Sequence, residues 1–179
     1  MFSQAPTSAL LSAVLLAVLA LSVWFDVTER RIPNNVTLAG LASALVLRTF
    51  MGPIALWAGF TGGAAGLALG MLLFSAGAMG AGDGKLLAAV GALLGLDTFL
   101  WCLPLVGAFG GLLALGESVR GGTLAATLLR FRALLFHFVS FGRIGQRGTL
   151  SAPGAVTVPY GVAIAAGAVT AWLSRGVAS

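Results

Sequence analysis

Residues 8–35 read SALLSAVLLAVLALSVWFDVTERRIPNN: an apolar run from Ser8 to Phe25, an aspartate set against its end, and a charged turn closing on Ile32-Pro33-Asn34. A run of this kind, free of Asp, Glu, Lys and Arg, is close to the roughly 20 residues a helix needs to cross a bilayer. The seven residues before it carry no Lys or Arg, so it lacks the basic leading segment of a secretory signal and is expected to be a retained span. The pattern recurs at about 36–51, 54–78, 84–97, 99–117 and 154–174. With 59% hydrophobic and 8% charged residues among 179, and a mean hydropathy of +1.03, the chain is too apolar for a soluble domain. The expected fold is all-α: a polytopic membrane protein with about six transmembrane helices, forming a single membrane-embedded domain over residues 1–179. The fourth span is the shortest, and Gly91 and Gly95 weaken it as a helix.

A formal charge of +5 and a pI near 11.2 raise the question of nucleic acid, but the basic residues are scattered through the segments between apolar runs, not gathered on one face. Membrane topology accounts for them. With the amino terminus outside, the inside segments hold Arg30, Arg31, Lys85, Arg120, Arg130, Arg132, Arg143 and Arg147, eight of the ten basic residues, and only Arg48 and Arg175 fall outside. Both termini are therefore expected to be extracytoplasmic. The segment Gly121–Gln146 mixes Leu128, Leu129, Phe131 and Phe136 with Arg130, Arg132, His137 and Arg143, as an interfacial helix on the cytoplasmic side would. In the third span Gly62, Gly66 and Gly70 share one helix face and open it to a neighbouring backbone. A single cysteine, Cys102, excludes an intrachain disulfide and a cysteine-ligated zinc site. His137, alone of its type, has no plausible co-ligand near it, so no metal site is expected.

The chain has five acids: Asp26, Glu29, Asp83, Asp97 and Glu117. Acids are expensive in such surroundings, so each needs a reason. Asp97 and Glu117 fall at span ends where water is near, and Glu29 sits in a polar turn beside Arg30 and Arg31. Asp26 ends the first span at a helix carboxyl terminus, where the macrodipole disfavours a carboxylate, so something must compensate it: either Arg30 one turn on or a functional partner. Asp83 stands in Gly80-Ala81-Gly82-Asp83-Gly84-Lys85-Leu86, where it could serve as an ordinary helix N-cap. Three glycines within five residues also supply the bare main chain that an extended peptide would lie against. Lys85 is either a topological charge or an electrostatic neighbour of Asp83.

Topology relates the two aspartates. Asp26 ends a span that enters the cytoplasm and Asp83 begins one that leaves it, so both sit at the same depth. Two carboxylates meeting in a poor dielectric share a proton, one acting as base and the other as acid, which is the chemistry of an aspartyl peptidase. Two other classes remain open from the residues alone. A small transporter could use the pair as a proton or cation site, and a structural subunit of an assembly platform would need Asp83 only as a cap.

The sequence Gly80-Ala81-Gly82-Asp83 with Gly84-Lys85-Leu86 resembles the GxGD-x-K-L signature of the type IV prepilin peptidases. Asp26 followed by Arg30-Arg31-Ile32-Pro33-Asn34 is similar to the first catalytic aspartate and Ile-Pro loop of that family, and Pro159-Tyr160-Gly161 is similar to the element that opens its last helix. Presenilin-like proteases share GxGD, but they carry Tyr before the first aspartate, where this chain has Phe25, and end in a Pro-Ala-Leu element absent here. The resemblance implies Asp26 and Asp83 as catalytic residues, with Gly80, Gly82, Gly84, Lys85, Pro159, Tyr160 and Gly161 shaping the site or binding substrate. It implies cleavage of short basic leaders from prepilins or pseudopilins on the cytoplasmic side of the inner membrane, without a cofactor. Contact with membrane lipid and a pilus assembly platform is implied as well. The Arg-Arg-Ile-Pro-Asn loop and the size of the chain resemble the small peptidases of Flp, or tight-adherence, pilus systems, which implies neither methyltransferase activity nor zinc.

Overall fold

A computed structural model of the chain describes residues 5–120 and 160–175. Every element among them is a helix: α1 (Ala5–Glu29), α2 (Asn34–Met51), α3 (Pro53–Ser75), α4 (Ala81–Leu94), α5 (Leu96–Arg120) and α6 (Tyr160–Arg175). Each expected span has its helix, with shifted ends. The third stops at Ser75, because Gly77 turns with φ 70°. The fourth stops at Leu94, because Gly95 at φ 79° opens directly into α5. The interfacial segment Gly121–Gln146, with His137, and Pro159 lie outside the described residues.

Among the described residues, three helices are long and apolar enough to cross a membrane: Thr7–Glu29, Pro53–Ser75 and Leu96–Arg120. Their outward faces carry Trp24, Ile54, Trp57, Met71 and Leu112, all exposed, as a lipid-facing surface does. By contrast α4, at 14 residues, rises only about 21 Å, short of the ~30 Å of a hydrocarbon core.

Neighbour relations explain how so short a helix is accommodated. The helices α1, α2, α3, α5 and α6 touch in that order and close back from α6 to α1, and α4 touches all five. It therefore runs up the middle of a ring. Every residue from Leu86 to Leu94 is buried, which suits a helix apolar on all sides. The glycine face of α3 makes its closest wall. Gly62, Gly66 and Gly70 meet the α4 backbone at Gly91, Leu87 and Gly84, and a Cβ on Gly70 would stand 2.5 Å from the Gly84 Cα. Helices approaching this closely gain dispersion contacts along their whole shared length, the attraction that remains when lipid is as apolar as the side chains.

Arg48 falls near the end of the second expected span, and it lies in the last turn of α2, where it is fully buried. Its Nε donates to the Ala92 carbonyl at 2.9 Å, Nη2 to the Leu93 carbonyl at 3.0 Å and Nη1 to the Ala55 carbonyl at 3.0 Å. The last carbonyls of a helix lack partners within it. Because α4 ends inside the bundle, water cannot supply them, and the planar fork of an arginine does. One end of α4 is thus anchored by Arg48 and its flank by α3. The other end presents Asp83.

Candidate active site

Asp26 belongs to the inward stripe of α1. Leu11, Leu15, Val18, Leu19, Ser22 and Asp26 follow at helical spacing and all are buried, Asp26 at 7% exposure. The helix stops three residues later. Arg30 takes a left-handed backbone with φ 53°, its N–H donates to the Asp26 carbonyl at 3.2 Å, and the chain turns through buried Ile32 to Pro33, which begins α2 in extended geometry.

At a helix carboxyl end the Asp26 carboxylate meets the unfavourable pole of the α1 dipole. Its compensation comes from across the bundle. The Gly161 N–H, in the first turn of α6, donates to Asp26 Oδ2 at 2.8 Å. The Val162 N–H also bonds it, and Arg30 attracts it electrostatically. Asp26 therefore sits on the amino-terminal pole of α6, where free N–H groups and the dipole both favour an anion.

Asp83 is not the N-cap. That position is Gly80, with φ −73° and ψ 153°, and Asp83 lies in the first turn of α4, ahead of the apolar run 84–97. Its carboxylate turns back to accept from the Gly80 N–H, the reaching-back half of a capping box. The negative charge of Asp26 and the Gly80 hydrogen bond act on this carboxyl in opposite senses. Hence the ends of α1 and α4 bring two acids into electrostatic reach of each other.

The surrounding residues divide by what they touch. Tyr160 opens α6 within electrostatic reach of Asp83. Gly82 lies against Ile32, where a Cβ would sit 3.4 Å from the Ile32 Cβ, and Gly84 against Gly70 of α3. Lys85 is exposed, and its Nζ donates to Asn34 Oδ1 at 2.8 Å, joining the starts of α4 and α2. Among the other acids, Glu29, Asp97 and Glu117 are all exposed, and Glu117 pairs with Arg120 at 3.7 Å. The sequence gives no sign that the Gly161 N–H would reach Asp26, 135 positions away. Only the Pro-Tyr-Gly element marked that segment at all.

Gly161 has no room to change. A Cβ there would stand 2.7 Å from Asp26 Oδ2 and 3.1 Å from its Cγ, so Gly161→Ala is expected to push the carboxylate off its hydrogen bond. The predicted loss is about 1.5–3 kcal/mol of stability, the worth of one hydrogen bond to a charged group. The check is thermal unfolding.

The model of the type IV leader peptidase family matches residues 13–115, more than half of the 179 residues. The chain belongs to that family. Neither a curated protein nor a solved structure matches it. As a type IV leader peptidase it is a peptidase of a family whose substrates are prepilins, and its long apolar helices make it an integral membrane protein. The matched stretch of this leader peptidase contains both Asp26 and Asp83 and stops before α6. The bond from Gly161 to Asp26 is thus a structural observation independent of the match.

Proposed function

We propose that the chain is an aspartic endopeptidase in which Asp26 and Asp83 remove the short basic leader of Flp-like prepilins or pseudopilins at the cytoplasmic face of the inner membrane. The observation that carries this is the pairing of two otherwise costly carboxylates, on α1 and α4, within electrostatic reach at one end of an apolar bundle. Neighbouring carboxylates in such surroundings share one proton. The ionised partner takes a proton from water as its oxygen attacks the scissile carbonyl carbon. The protonated partner donates to the carbonyl oxygen, giving a gem-diol. As the C–N bond breaks, the proton drawn from water goes to the leaving nitrogen, and one gem-diol hydroxyl returns its proton to the partner that donated, restoring the C=O bond and the shared-proton pair. Gly80, Gly82 and Gly84 give the chain around Asp83 little side-chain bulk, which suits an extended leader lying against it. Lys85 braces the rim through Asn34, and Tyr160 with Gly161 closes it from α6. The six helices act as six spans with both termini outside, α4 crossing within the ring, and prepilins reach the site from the lipid or from an assembly platform.

A transporter using the same acids is less favoured, because coupling sites form near the midplane whereas this pair lies where α1 ends and α4 begins.

Co-expression with a candidate prepilin from the same genome tests the proposal, with leader loss followed by mass. Processing by the wild type, absent in Asp26→Asn and Asp83→Asn at equal membrane levels, supports it. Normal processing by either variant contradicts it.

The pH dependence follows from the pair. The active form carries one shared proton, so cleavage by protein in vesicles is expected to fall both where the pair is doubly protonated and where it is doubly ionised, giving a bell-shaped profile. A rate that is flat across the pH range in which the protein stays folded contradicts this reading.

A further inference from the structure

Ser22 lies one helical turn before Asp26 on the buried face of α1, fully buried, and its Oγ has no hydrogen-bond partner among the described residues. Helical hydroxyls in this protein ordinarily solve that problem locally. Ser12, Thr28, Thr61, Ser118 and Thr170 each donate to the carbonyl four residues back, at 2.6 to 3.0 Å. Ser22 does not make the equivalent bond to the Val18 carbonyl. A buried hydroxyl without a partner costs free energy, so Ser22 calls for an acceptor or donor elsewhere.

The nearest polar group along the same face is the Asp26 carboxylate. Side chains at positions i and i+4 of a helix have Cβ atoms about 5–6 Å apart, and the Ser22 hydroxyl makes no direct bond to Asp26. That separation suits one water making two hydrogen bonds of ~2.8 Å. The chemistry is complementary. Gly161 occupies Asp26 Oδ2, an ionised carboxylate has acceptor capacity beyond that bond, and a water accepting from the Ser22 hydroxyl has both hydrogens left to donate.

We propose that Ser22 and Asp26 hold a buried water molecule between them, which makes Ser22 a positioning residue for the Asp26 carboxylate. Gly161 then fixes one oxygen from α6, and the water fixes the carboxylate from the α1 side. The proposal rests on the catalytic role assigned to Asp26 above.

The test uses the full-length protein in lipid vesicles with a synthetic prepilin peptide, comparing Ser22→Ala, Ser22→Cys, Ser22→Thr and Asp26→Asn. Ser22→Ala and Ser22→Cys are expected to lower kcat about tenfold to a hundredfold, the worth of a hydrogen bond to a charged group, with KM unchanged. Ser22→Thr keeps the hydroxyl and is expected to stay within about threefold of the wild type. Ser22→Ala is smaller and Ser22→Cys larger than the native side chain, so a loss shared by both separates the missing hydroxyl from a packing defect. Wild-type kcat in Ser22→Ala and Ser22→Cys, with Asp26→Asn inactive, overturns the water and leaves the catalytic pair standing. Processing by Asp26→Asn overturns the pair itself.

Discussion

Asp83→Asn and Asp26→Asn are each expected to lower leader removal by about a thousandfold or more, within the range that acid–base catalysis by a positioned group supplies, with the protein still folded. The two halves of that expectation have separate causes. Asn has nearly the shape of Asp but neither gives nor takes a proton at working pH, so the shared-proton pair ceases to exist. The fold survives because neither packing nor hydrogen bonding depends on the charge. An amide oxygen at position 26 still accepts from the Gly161 N–H, and an amide at position 83 still reaches the Gly80 N–H. Asp83→Asn also removes a carboxylate that burial and the charge of Asp26 both disfavour, so its thermal midpoint is expected at or above that of the wild type. An inactive protein with unimpaired stability is hard to explain by any role of Asp83 other than chemistry. The exposed Glu29 and Asp97 supply the contrast: Glu29→Gln and Asp97→Asn are expected to stay within about twofold, as solvated charges do.

Gly66→Leu has the largest expected effect on stability. A Cβ at position 66 would run into the Leu87 carbonyl and stand 3.0 Å from the Ala88 Cα, backbone atoms of a helix that the ring holds on every side. Overpacking commonly costs 1–3 kcal/mol when side chains can move aside. Here the obstacle is main chain, so ~3 kcal/mol or more is expected. The damage carries directly to function, because α4 bears Asp83 in its first turn, and tilting α4 away from α3 takes that carboxylate from Asp26. Thermal unfolding and processing should fall together. Gly111, on α5, has open space where its Cβ would be, so Gly111→Leu is expected to leave both unchanged.

Much of this was legible in the sequence. Apolar runs give helices because a chain without polar side chains must satisfy its backbone internally. The Gly62-Gly66-Gly70 spacing marked a close helix contact because only a periodic absence of side chains permits one. Asp26 and Asp83 stood out because an acid in such a chain needs a cause. What could not be read depends on where helices end relative to one another. Arg48 looks like an ordinary charge near a span end until α4 is seen to stop within the bundle with its carbonyls buried. Asp83 looks like an N-cap until Gly80 is seen to occupy that position and the carboxylate to turn back towards it. The partner of Asp26 also escapes local reasoning. Arg30 is the obvious candidate one turn on, but the direct bond comes from the start of α6, and no helical periodicity links residues 26 and 161.

The most direct test of the central claim measures whether the two carboxylates together bind a tetrahedral centre. A leader peptide carrying a statine-type secondary hydroxyl in place of the scissile carbonyl should bind the wild type at least about a hundredfold more tightly than the same peptide with a methylene there, as transition-state mimics do. The gain should vanish in both Asp26→Asn and Asp83→Asn. A hydroxyl that adds no affinity to the wild type, or that adds as much to the two variants, would contradict an aspartic pair at this site.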